Sequence, residues 1–323
     1  MLIDILKNNK CFKLVCGAGN ENVEEVERLV YLYCLAGANL FDLSANIDVI
    51  KAAKNSIKKA KEKRNIFVYT SVSFGISGDP HIRKATIDSN ICKMCKRCIN
   101  VCPQSAIFEI DNCIKIIDYK CIGCGKCQQV CSINAISFYQ KIKPIREVLP
   151  EIVDLGIDCV ELHSISDDEN EFLKNWNQII SIHKGLVSLC LDRSHLGNFS
   201  LIKRIKNAIK NRLPYTTIIQ ADGAPMSGGR NDFKSTLQAV ATAEIVANER
   251  LPVFILLSGG TNAKSSRLAK MCNISINGVA IGSYARQIVK KEIKRDDFFY
   301  NEKVFNRSLK RASNLVNEIF KYL

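Results

Sequence analysis

Eight cysteines in one short window are the residues with the most evident chemistry. They form two runs of the spacing C-x2-C-x2-C-x3-C, 29 residues apart: Cys92, Cys95, Cys98, Cys102, and Cys121, Cys124, Cys127, Cys131. Three thiolates two residues apart on a tight loop suit three corners of an iron–sulfur cube, and the fourth corner needs a thiolate from farther away. Zinc also binds C-x2-C pairs, but it needs only four ligands and does not explain the third cysteine of each run. The spacing therefore favours two iron–sulfur clusters.

The window resembles compact bacterial two-cluster ferredoxins over residues 84–140. In those ferredoxins the fourth cysteine of each run ligates the other cluster. The resemblance implies two [4Fe–4S] clusters with crossed ligand sets, Cys92, Cys95, Cys98 with Cys131, and Cys121, Cys124, Cys127 with Cys102. Ser132 stands where a proline would follow the second run, and this removes no ligand.

The compartment follows from the start of the chain and from its hydropathy. The first ten residues, MLIDILKNNK, are too short and too charged for a signal peptide, and no stretch approaches the about 18 apolar residues of a membrane span. We expect a cytoplasmic protein with no membrane span, whose 15 cysteines serve metal or redox chemistry rather than disulfides. Six cysteines outside the runs lie in apolar patterns and are expected in the core, and Cys113 is assigned no role.

Eight apolar, β-rich runs alternate with helix-period segments outside the window. The predicted strands are Phe12–Gly17, Asn39–Ser44, Ile66–Ser73, Cys159–Ser164, Leu186–Asp192, Thr216–Ala221, Val253–Ser258 and Gly278–Gly282. The predicted helices are Val23–Ala36, Ile47–Lys63, Ile145–Leu155, Glu169–His183, Leu201–Arg212, Phe233–Asn248, Ala263–Met271 and Val304–Tyr322. This order predicts an α/β fold, a (β/α)8 TIM-like barrel with a two-cluster ferredoxin inserted after strand 3. The alternative, a doubly wound sheet, needs fewer strands and a full G-x-G-x-x-G motif.

The predicted domain division follows from this order. Residues 1–83 form the first part of the barrel, residues 84–140 the ferredoxin-like insert, and residues 141–323 the second part of the barrel. Because βα loops lie on the face of a barrel that carries active sites, the insert is expected to stand over the barrel mouth.

Glycine-rich turns follow the last two predicted strands. Backbone N–H groups in such turns can bind an anion, and the loops after strands 7 and 8 are the usual phosphate site of this fold. The predicted phosphate-binding residues are Ser258, Gly259, Gly260, Gly282 and Ser283. The ligand would be a phosphorylated cofactor or metabolite, with FMN one candidate. The alternative that the glycines only turn the chain stays open.

Polar residues lie at other strand ends. Glu161 and His163 are two residues apart on one strand, so they share a face and could form an acid/base pair or a hydrogen-bonded plug. Further polar strand-end residues are Asp42, Ser44, Asp192, Arg193, Gln220 and Asp222. No strand end carries a lysine, which argues against Schiff-base chemistry. The loop Ala221–Gly229, with three glycines and a proline, is predicted to be a binding or gating loop, or else a structural turn.

The chain is basic, with 46 Lys and Arg against 32 Asp and Glu and a formal net charge of +14. The basic residues are spread along predicted outer helices and are not interleaved with aromatic residues in a stacking pattern, which argues against specific nucleic-acid binding. An acidic protein partner suits this charge better.

The whole chain resembles the LdpA (light-dependent period) family of cyanobacterial iron–sulfur proteins. The two cysteine runs carry the resemblance together with Gln220–Gly229, Leu257–Asn262 and Val279–Arg286. It implies a protein that reports cellular redox state, and hence light, to the circadian clock. It also implies protein partners in clock input, such as a sensor histidine kinase.

Three functions remain open from the sequence. The first is an electron carrier and redox sensor, which the eight clustered cysteines favour. The second is a barrel oxidoreductase in which the clusters feed electrons to a flavin or a substrate. The third is a scaffold whose clusters are structural.

Overall fold

A computed structural model describes residues 1–17, 19–164, 166–194, 196–223 and 230–323. Its strands are β1 (Cys11–Val15), β2 (Leu40–Ser44), β3 (Tyr69–Gly75), β4 (Arg83–Ile87), β5 (Ile107–Ile110), β6 (Cys113–Ile116), β7 (Ile136–Gln140), β8 (Cys159–His163), β9 (Leu186–Leu191), β10 (Thr217–Asp222), β11 (Phe254–Ser258) and β12 (Gly278–Ile281). Its α-helices are α1 (Leu2–Lys7), α2 (Val23–Ala36), α3 (Ile47–Lys63), α4 (Arg97–Val101), α5 (Lys126–Gln129), α6 (Ile145–Asp154), α7 (Glu169–Ile182), α8 (Asn198–Ile209), α9 (Phe233–Asn248), α10 (Ser265–Met271), α11 (Ser283–Gln287), α12 (Lys290–Ile293) and α13 (Glu302–Phe320).

Eight parallel strands close into a barrel in the order β1-β12-β11-β10-β9-β8-β3-β2. Alternate residues of each strand face the helices or the barrel interior, so that Phe12 and Leu14 of β1 join the core beneath the helices. Cys11 faces the other way, into a smaller cluster at the foot of the barrel that Leu2 and Leu6 of α1 close. The predicted (β/α)8 barrel is confirmed.

The remaining strands form two small sheets between β3 and α6. Strands β4 and β7 pair antiparallel from Arg83 and Gln140 to Ile87 and Ile136, and β5 pairs with β6. The first and last strands of this unit are therefore partners, which brings its two ends together. The predicted insertion of a ferredoxin-like unit after strand 3 is confirmed.

Three helices with a capping side chain have the bounds that the sequence predicts, whereas α13, capped by Asn301, begins two residues before the predicted Val304. Asn22, Asn46 and Asp232 accept hydrogen bonds from the first turns of α2, α3 and α9, and these three helices have the predicted bounds. Helix α8 lies three residues earlier than predicted because Gly197, which offers no side-chain cap, is its N-cap. Among the described residues, no helix has both the length and the apolar character needed to cross a membrane.

Most cysteines outside the two runs are in the core, as predicted. The buried ones are Cys11, Cys16, Cys34, Cys159 and Cys190. Cys272 is exposed, and the prediction for it is wrong, because it follows the last turn of α10 on the solvent side.

Candidate functional site

The eight cysteines of the insert lie around two separate cavities. One cavity, of about 120 Å³, is bordered by Cys92, Cys95, Cys98 and Cys131. The other, of about 20 Å³, is bordered by Cys102, Cys121, Cys124 and Cys127. The structure thus groups the cysteines into the same crossed sets that the sequence analysis expects. Cys113, a described residue of β6, borders neither cavity.

Both cysteine loops have the same backbone conformation. Met94 and Lys96 in the first loop have φ of 53° and 61°, and Gly123 and Gly125 at the equivalent positions of the second have φ of 67° and 79°. Left-handed residues in such loops turn backbone N–H groups toward one side of the chain, which suits a negatively charged group. Glycine adopts this conformation readily, whereas it costs other residues about 1–3 kcal/mol. The first loop has these left-handed angles at Met94 and Lys96 although neither residue is glycine.

Backbone amides point at three of the thiols. The Ala85 N–H lies 3.4 Å from the sulfur of Cys121. The N–H groups of Ala106 and Ala135 lie 3.3 and 3.2 Å from the sulfurs of Cys102 and Cys131. These are equivalent positions of the duplication, so the last cysteine of each run receives the same hydrogen bond. Burial raises the pKa of the Cys127 thiol to about 11, so a positively charged centre is needed to favour its thiolate. The sulfur donors and the amides fit iron–sulfur clusters, whose potentials such hydrogen bonds tune.

A buried lysine joins the insert to the barrel. The Lys84 ammonium donates to the carbonyls of Gly19, Asp118 and Cys121 at 2.7, 3.0 and 2.8 Å. Gly19 belongs to the loop after β1, and Cys121 opens the second cysteine run. Ile122 borders both the second cysteine cavity and a cavity at the barrel mouth. The second cysteine cavity is therefore the one adjacent to the barrel.

The cavity at the barrel mouth has a volume of about 90 Å³. All five predicted phosphate-binding residues border it: Ser258, Gly259, Gly260, Gly282 and Ser283. Gly259 and Gly260 have φ of 62° and 77°, and a Cβ on Gly259 would lie 2.7 Å from the Gly223 nitrogen. The turn after β11 therefore requires glycine for its own shape, and the same turn faces the cavity.

A buried lysine lies inside the barrel below this cavity. The Lys13 ammonium is 2.5 Å from Glu161 Oε2 and 3.5 Å from Asp42 Oδ1. The Gln220 side-chain amide donates to the same oxygen of Glu161. Burial alone would lower the pKa of Lys13, but Asp42 and Glu161 hold it above its ordinary value. Lys13 is therefore a charged partner of two carboxylates and not a free amine, which agrees with the argument against Schiff-base chemistry.

Two histidines extend this network toward the mouth. His163 Nε2 lies 3.1 Å from Glu161 Oε1, and its Nδ1 lies 3.0 Å from Asp79 Oδ2. The other oxygen of Asp79 lies 2.8 Å from His81 Nδ1. Burial would lower the pKa of His163, but Asp79 and Glu161 raise it well above its ordinary value. Burial would raise the pKa of Asp79, but the two histidines hold it well below its usual range.

The wall of the mouth cavity also carries acceptor oxygens. The Cys190 thiol donates to Asp222 Oδ2 at 2.9 Å, and burial raises the pKa of both groups. The side-chain oxygen of Gln220 has no hydrogen-bond partner among the described residues, although the side chain is buried. An unpartnered buried acceptor of this kind suits a ligand that brings a donor or a positive charge.

A basic cleft of about 840 Å³ separates part of the insert from the barrel. Its cationic residues are Arg28, Lys120, Lys126, Arg286, Lys290, Lys291 and Lys294, and its acidic ones are Glu24, Glu25 and Asp296. Cys102 and Cys124 of the second cysteine cavity also border it. Ser283 and Arg286 border both the cleft and the mouth cavity. The volume suits a nucleotide-sized ligand, and the excess of positive charge suits an anionic one.

Residues 151–318, just over half of the chain, match the family model of the light dependent period A C-terminal domain. The chain belongs to the light dependent period A family. Residues 84–132 match the model of a 4Fe-4S dicluster domain, so this member of the family is an iron–sulfur protein. Light dependent period A from Synechococcus elongatus is 28% identical over 297 residues, which cover 88% of this chain and 82% of that protein.

Solved structures with a similar fold are barrel enzymes. The YdjI aldolase from Escherichia coli K12 aligns with a TM-score of 0.54 and 10% identity, over 100% of this chain and 99% of that chain. A candidate fructose-1,6-biphosphate aldolase from Coccidioides immitis aligns with a TM-score of 0.52 and 8% identity, over 99% of this chain and 95% of that chain. At such low identity the likeness establishes the barrel fold of this family member and no activity.

The structure brings together most of the polar strand-end residues that the sequence singles out. Glu161, His163, Gln220 and Asp222 border the mouth cavity, and Asp42 lies beneath it. Other predicted residues, Ser44, Asp192 and Arg193, are not among those that border it. In the loop Ala221–Gly229, which carries part of the family resemblance, residues 224–229 lie outside the described residues.

Four residues in or behind the mouth are not singled out from the sequence: His81 and Cys190 border the cavity, and Lys13 and Asp79 lie behind it. The sequence does contain a signal for Lys13. It is a lysine inside an otherwise apolar strand, and a buried lysine needs a buried partner for its charge. Asp79 and His81 lie in the loop between β3 and β4, where no periodicity indicates the direction of a side chain. Cys190 was expected only to pack in the core.

Proposed function

We propose that the chain binds two [4Fe–4S] clusters and acts as an electron carrier and redox sensor. The cysteine grouping carries the proposal, since each cavity is bordered by three cysteines of one run and the last cysteine of the other. The proposed ligands are Cys92, Cys95, Cys98 and Cys131 for one cluster, and Cys121, Cys124, Cys127 and Cys102 for the other. The proposed domains are residues 1–83, 84–140 and 141–323, and the proposed compartment is the cytoplasm, where thiols stay reduced.

The two cluster sites differ in their surroundings. Cys95 at the first site is exposed, and the basic residues Lys93, Lys96 and Arg97 border the same cavity. The second site lies against the barrel through Ile122. Because exposure and hydrogen bonding tune cluster potentials, we expect two distinct potentials. In the proposed path the outer cluster exchanges electrons with an acidic partner, and the inner cluster transmits the redox change to the barrel mouth.

Anaerobic purification tests the cluster proposal. The wild-type protein should contain about eight iron and eight sulfide per chain, and it should show two reductive steps when titrated and followed by electron paramagnetic resonance. Cys95→Ala and Cys124→Ala should each alter one of the two reduced signals and lower the iron content. Cys113→Ala is the matched control, because Cys113 lies in the insert but borders neither cavity. A wild-type protein with a single cluster, or with bound zinc, would refute the proposal.

The family relationship supports a role in relaying redox state, and thereby light, to the circadian clock. Reduction adds charge beside the barrel mouth, and this charge would change the affinity for a partner in clock input, such as a sensor histidine kinase. Affinities of oxidised and reduced protein for the purified kinase should differ by at least about tenfold, a coupling free energy of about 1.4 kcal/mol. Equal affinities would refute the sensing role and leave only the role of an electron carrier.

The second candidate function is an oxidoreductase, in which the clusters reduce a bound flavin or a substrate in the barrel. Its support is that Ser283 and Arg286 border both the mouth cavity and the basic cleft, which also includes Cys102 and Cys124. A phosphate held by Ser258, Gly259, Gly260, Gly282 and Ser283 would place a flavin such as FMN beside the inner cluster. Protein purified anaerobically and then denatured should release about one flavin per chain. Protein that contains both clusters but neither releases nor binds flavin would exclude the flavin form of this candidate.

A further inference from the structure

Two histidines and a carboxylate meet at the barrel mouth, apart from any cysteine of the insert. Ligand atoms of Asp79, His81 and His163 all lie within 4.8 Å of one another. The centroids of the two imidazole rings are 5.0 Å apart, and the ring planes are inclined by 74°. Both histidines border the mouth cavity, and Asp79 is fully buried behind them. The two histidines of the group can therefore be reached from the mouth cavity.

The distances within this group suit a metal ion. Asp79 oxygens lie 2.8 Å from His81 Nδ1 and 3.0 Å from His163 Nδ1. Two atoms bound to one ion at about 2.1 Å, at tetrahedral or octahedral angles, lie about 3.0–3.4 Å apart. These two separations need to lengthen by only a few tenths of an ångström to accept an ion, and the third, between the ligand nitrogens of the two histidines, is within 4.8 Å.

The second ring nitrogen of His163 has the partner that a metal ligand requires. Ligating histidines usually donate their other N–H to a carboxylate or carbonyl, which fixes the tautomer and the ring. His163 Nε2 lies 3.1 Å from Glu161 Oε1, and Lys13 holds the other oxygen of Glu161 at 2.5 Å. The ring is thus oriented by a carboxylate that is itself fixed.

The chain makes room for the buried carboxylate. Asp79 caps the short helical turn Pro80–Ile82 by accepting from the His81 amide at 2.9 Å. Gly75, the last residue of β3, faces the same carboxylate, and a Cβ there would collide with it. The buried carboxylates of Asp79 and Glu161 lie on either side of the His163 ring, and a divalent cation can balance this concentration of negative charge.

We propose that Asp79, His81 and His163 bind a divalent transition-metal ion at the barrel mouth, with Glu161 as the positioning carboxylate behind His163. Two imidazoles and a carboxylate are donors that suit zinc, iron or manganese. The ion borders the cavity that Gly259, Gly260 and Ser283 line, so its remaining positions would take an oxygen of a small anionic metabolite. This inference is independent of the clusters and of the redox proposal.

The test uses the cluster-containing protein, purified anaerobically, treated with a chelator and then incubated with zinc alone. Elemental analysis should find about one zinc per chain in addition to the cluster iron. X-ray absorption at the zinc edge should show a nitrogen and oxygen shell at about 2.0–2.1 Å with imidazole scattering. A sulfur shell at about 2.3 Å would mean that zinc occupies vacant cysteine sites, and it would overturn the proposal.

Substitutions locate the ion. His81→Gln should weaken zinc binding at least about 100-fold, and its side chain is 22% exposed, so the fold should tolerate the change. Glu161→Gln should weaken it about 10–100-fold, the range found when an outer carboxylate is lost. The matched control is His183→Gln, since His183, the C-cap of α7, is a buried histidine whose Nε2 lies 3.1 Å from the Leu186 carbonyl, away from the proposed site.

Zinc binding by the two histidine variants decides between the metal site and a purely structural network. Zinc binding that is lost in His81→Gln and retained in His183→Gln supports the site. No zinc in the wild-type protein, or equal binding by the two variants, overturns it and leaves a charged His163 bonded between two carboxylates. If His81→Gln also loses cluster iron, the absorption spectrum of the wild-type protein decides alone.

Discussion

Each cavity of the insert takes three of its cysteines from one short segment, such as the seven residues Cys92–Cys98. The barrel mouth, in contrast, takes Glu161, Gln220 and Ser258 from three different strands. The first kind of site depends on local spacing and two left-handed residues in each loop. The second kind exists only after the barrel has closed. Local chemistry can therefore be inferred from spacing, but chemistry distributed over strands needs the fold.

The two regions also differ in what holds them together. The core beneath the barrel helices extends from α2 to α13 and is a continuous cluster of hydrophobic side chains. Three of the eight buried residues in the insert core are proposed cluster ligands, Cys98, Cys121 and Cys127. The insert is thus a small unit whose interior is partly the metal site itself, and such units usually fold only with their metal.

The largest expected effect is that of removing the clusters. Chelation of iron under oxidising conditions should unfold the insert and leave the barrel folded, because the barrel core does not include the cysteine runs. Hydrogen exchange should show loss of protection in β4–β7 and retained protection in β8–β11. A cooperative loss of protection in both regions would contradict this difference.

The next effect concerns the buried charges of the barrel. Lys13→Met leaves Glu161 and Asp42 without their cation, and breaking a buried pair costs about 3–5 kcal/mol. The free energy of unfolding of the barrel, measured in urea, should fall by this amount while the iron content stays unchanged. Lys13→Met combined with Glu161→Gln should recover part of the loss, and a double variant as unstable as the sum of the singles would contradict the pairing.

A smaller effect is expected where the two regions join. Lys84→Met removes an ammonium that donates to three carbonyls, and burial already lowers the pKa of that ammonium. The free energy of unfolding should fall by about 2–3 kcal/mol, and amide hydrogens in the loop before Glu21 should exchange faster. Lys141→Met is the control, because Lys141 is 38% exposed and its ion pairs should contribute no more than about 1 kcal/mol. Equal effects of the two variants would show that Lys84 does not join the regions.

The smallest effect is a pH dependence confined to the barrel. Burial holds the pKa of His183 below its ordinary value of 6.5, so the unfolded chain binds the proton more readily. This contribution to stability is complete above pH 6.5 and is lost as the pH falls toward the lowered pKa, with a slope of at most about 1.4 kcal/mol per pH unit. His183→Gln should reduce the slope of the free energy of unfolding against pH between pH 7 and 5.5. An unchanged slope would show that groups other than His183 cause the pH dependence.

The sequence predicts the parts of the structure that depend on neighbouring residues. Capped helices such as α2 and α3, the alternation of strands and helices, and the two cysteine runs all follow from local patterns, whereas the crossing of the fourth cysteine between the runs depends on the fold of the insert. Strand β3 was predicted too early, as Ile66–Ser73, because its first residue is set by pairing, with the Tyr69 amide bonding the Asn39 carbonyl. Asp79 and His81 were missed for the same reason, since their directions depend on Gly75 and His163 in other parts of the fold.

The position of the insert has a consequence for the order of folding. Strands β3 and β8 are neighbours in the barrel, yet 83 residues separate Gly75 from Cys159. Once β4 pairs with β7, only 25 of these residues lie outside the folded insert. The loop that must close is then about three times shorter, which lowers its entropic cost by about 1 kcal/mol. If the proposed clusters fold the insert first, a supply of iron and sulfide during synthesis is expected to speed the meeting of the third and fourth barrel strands.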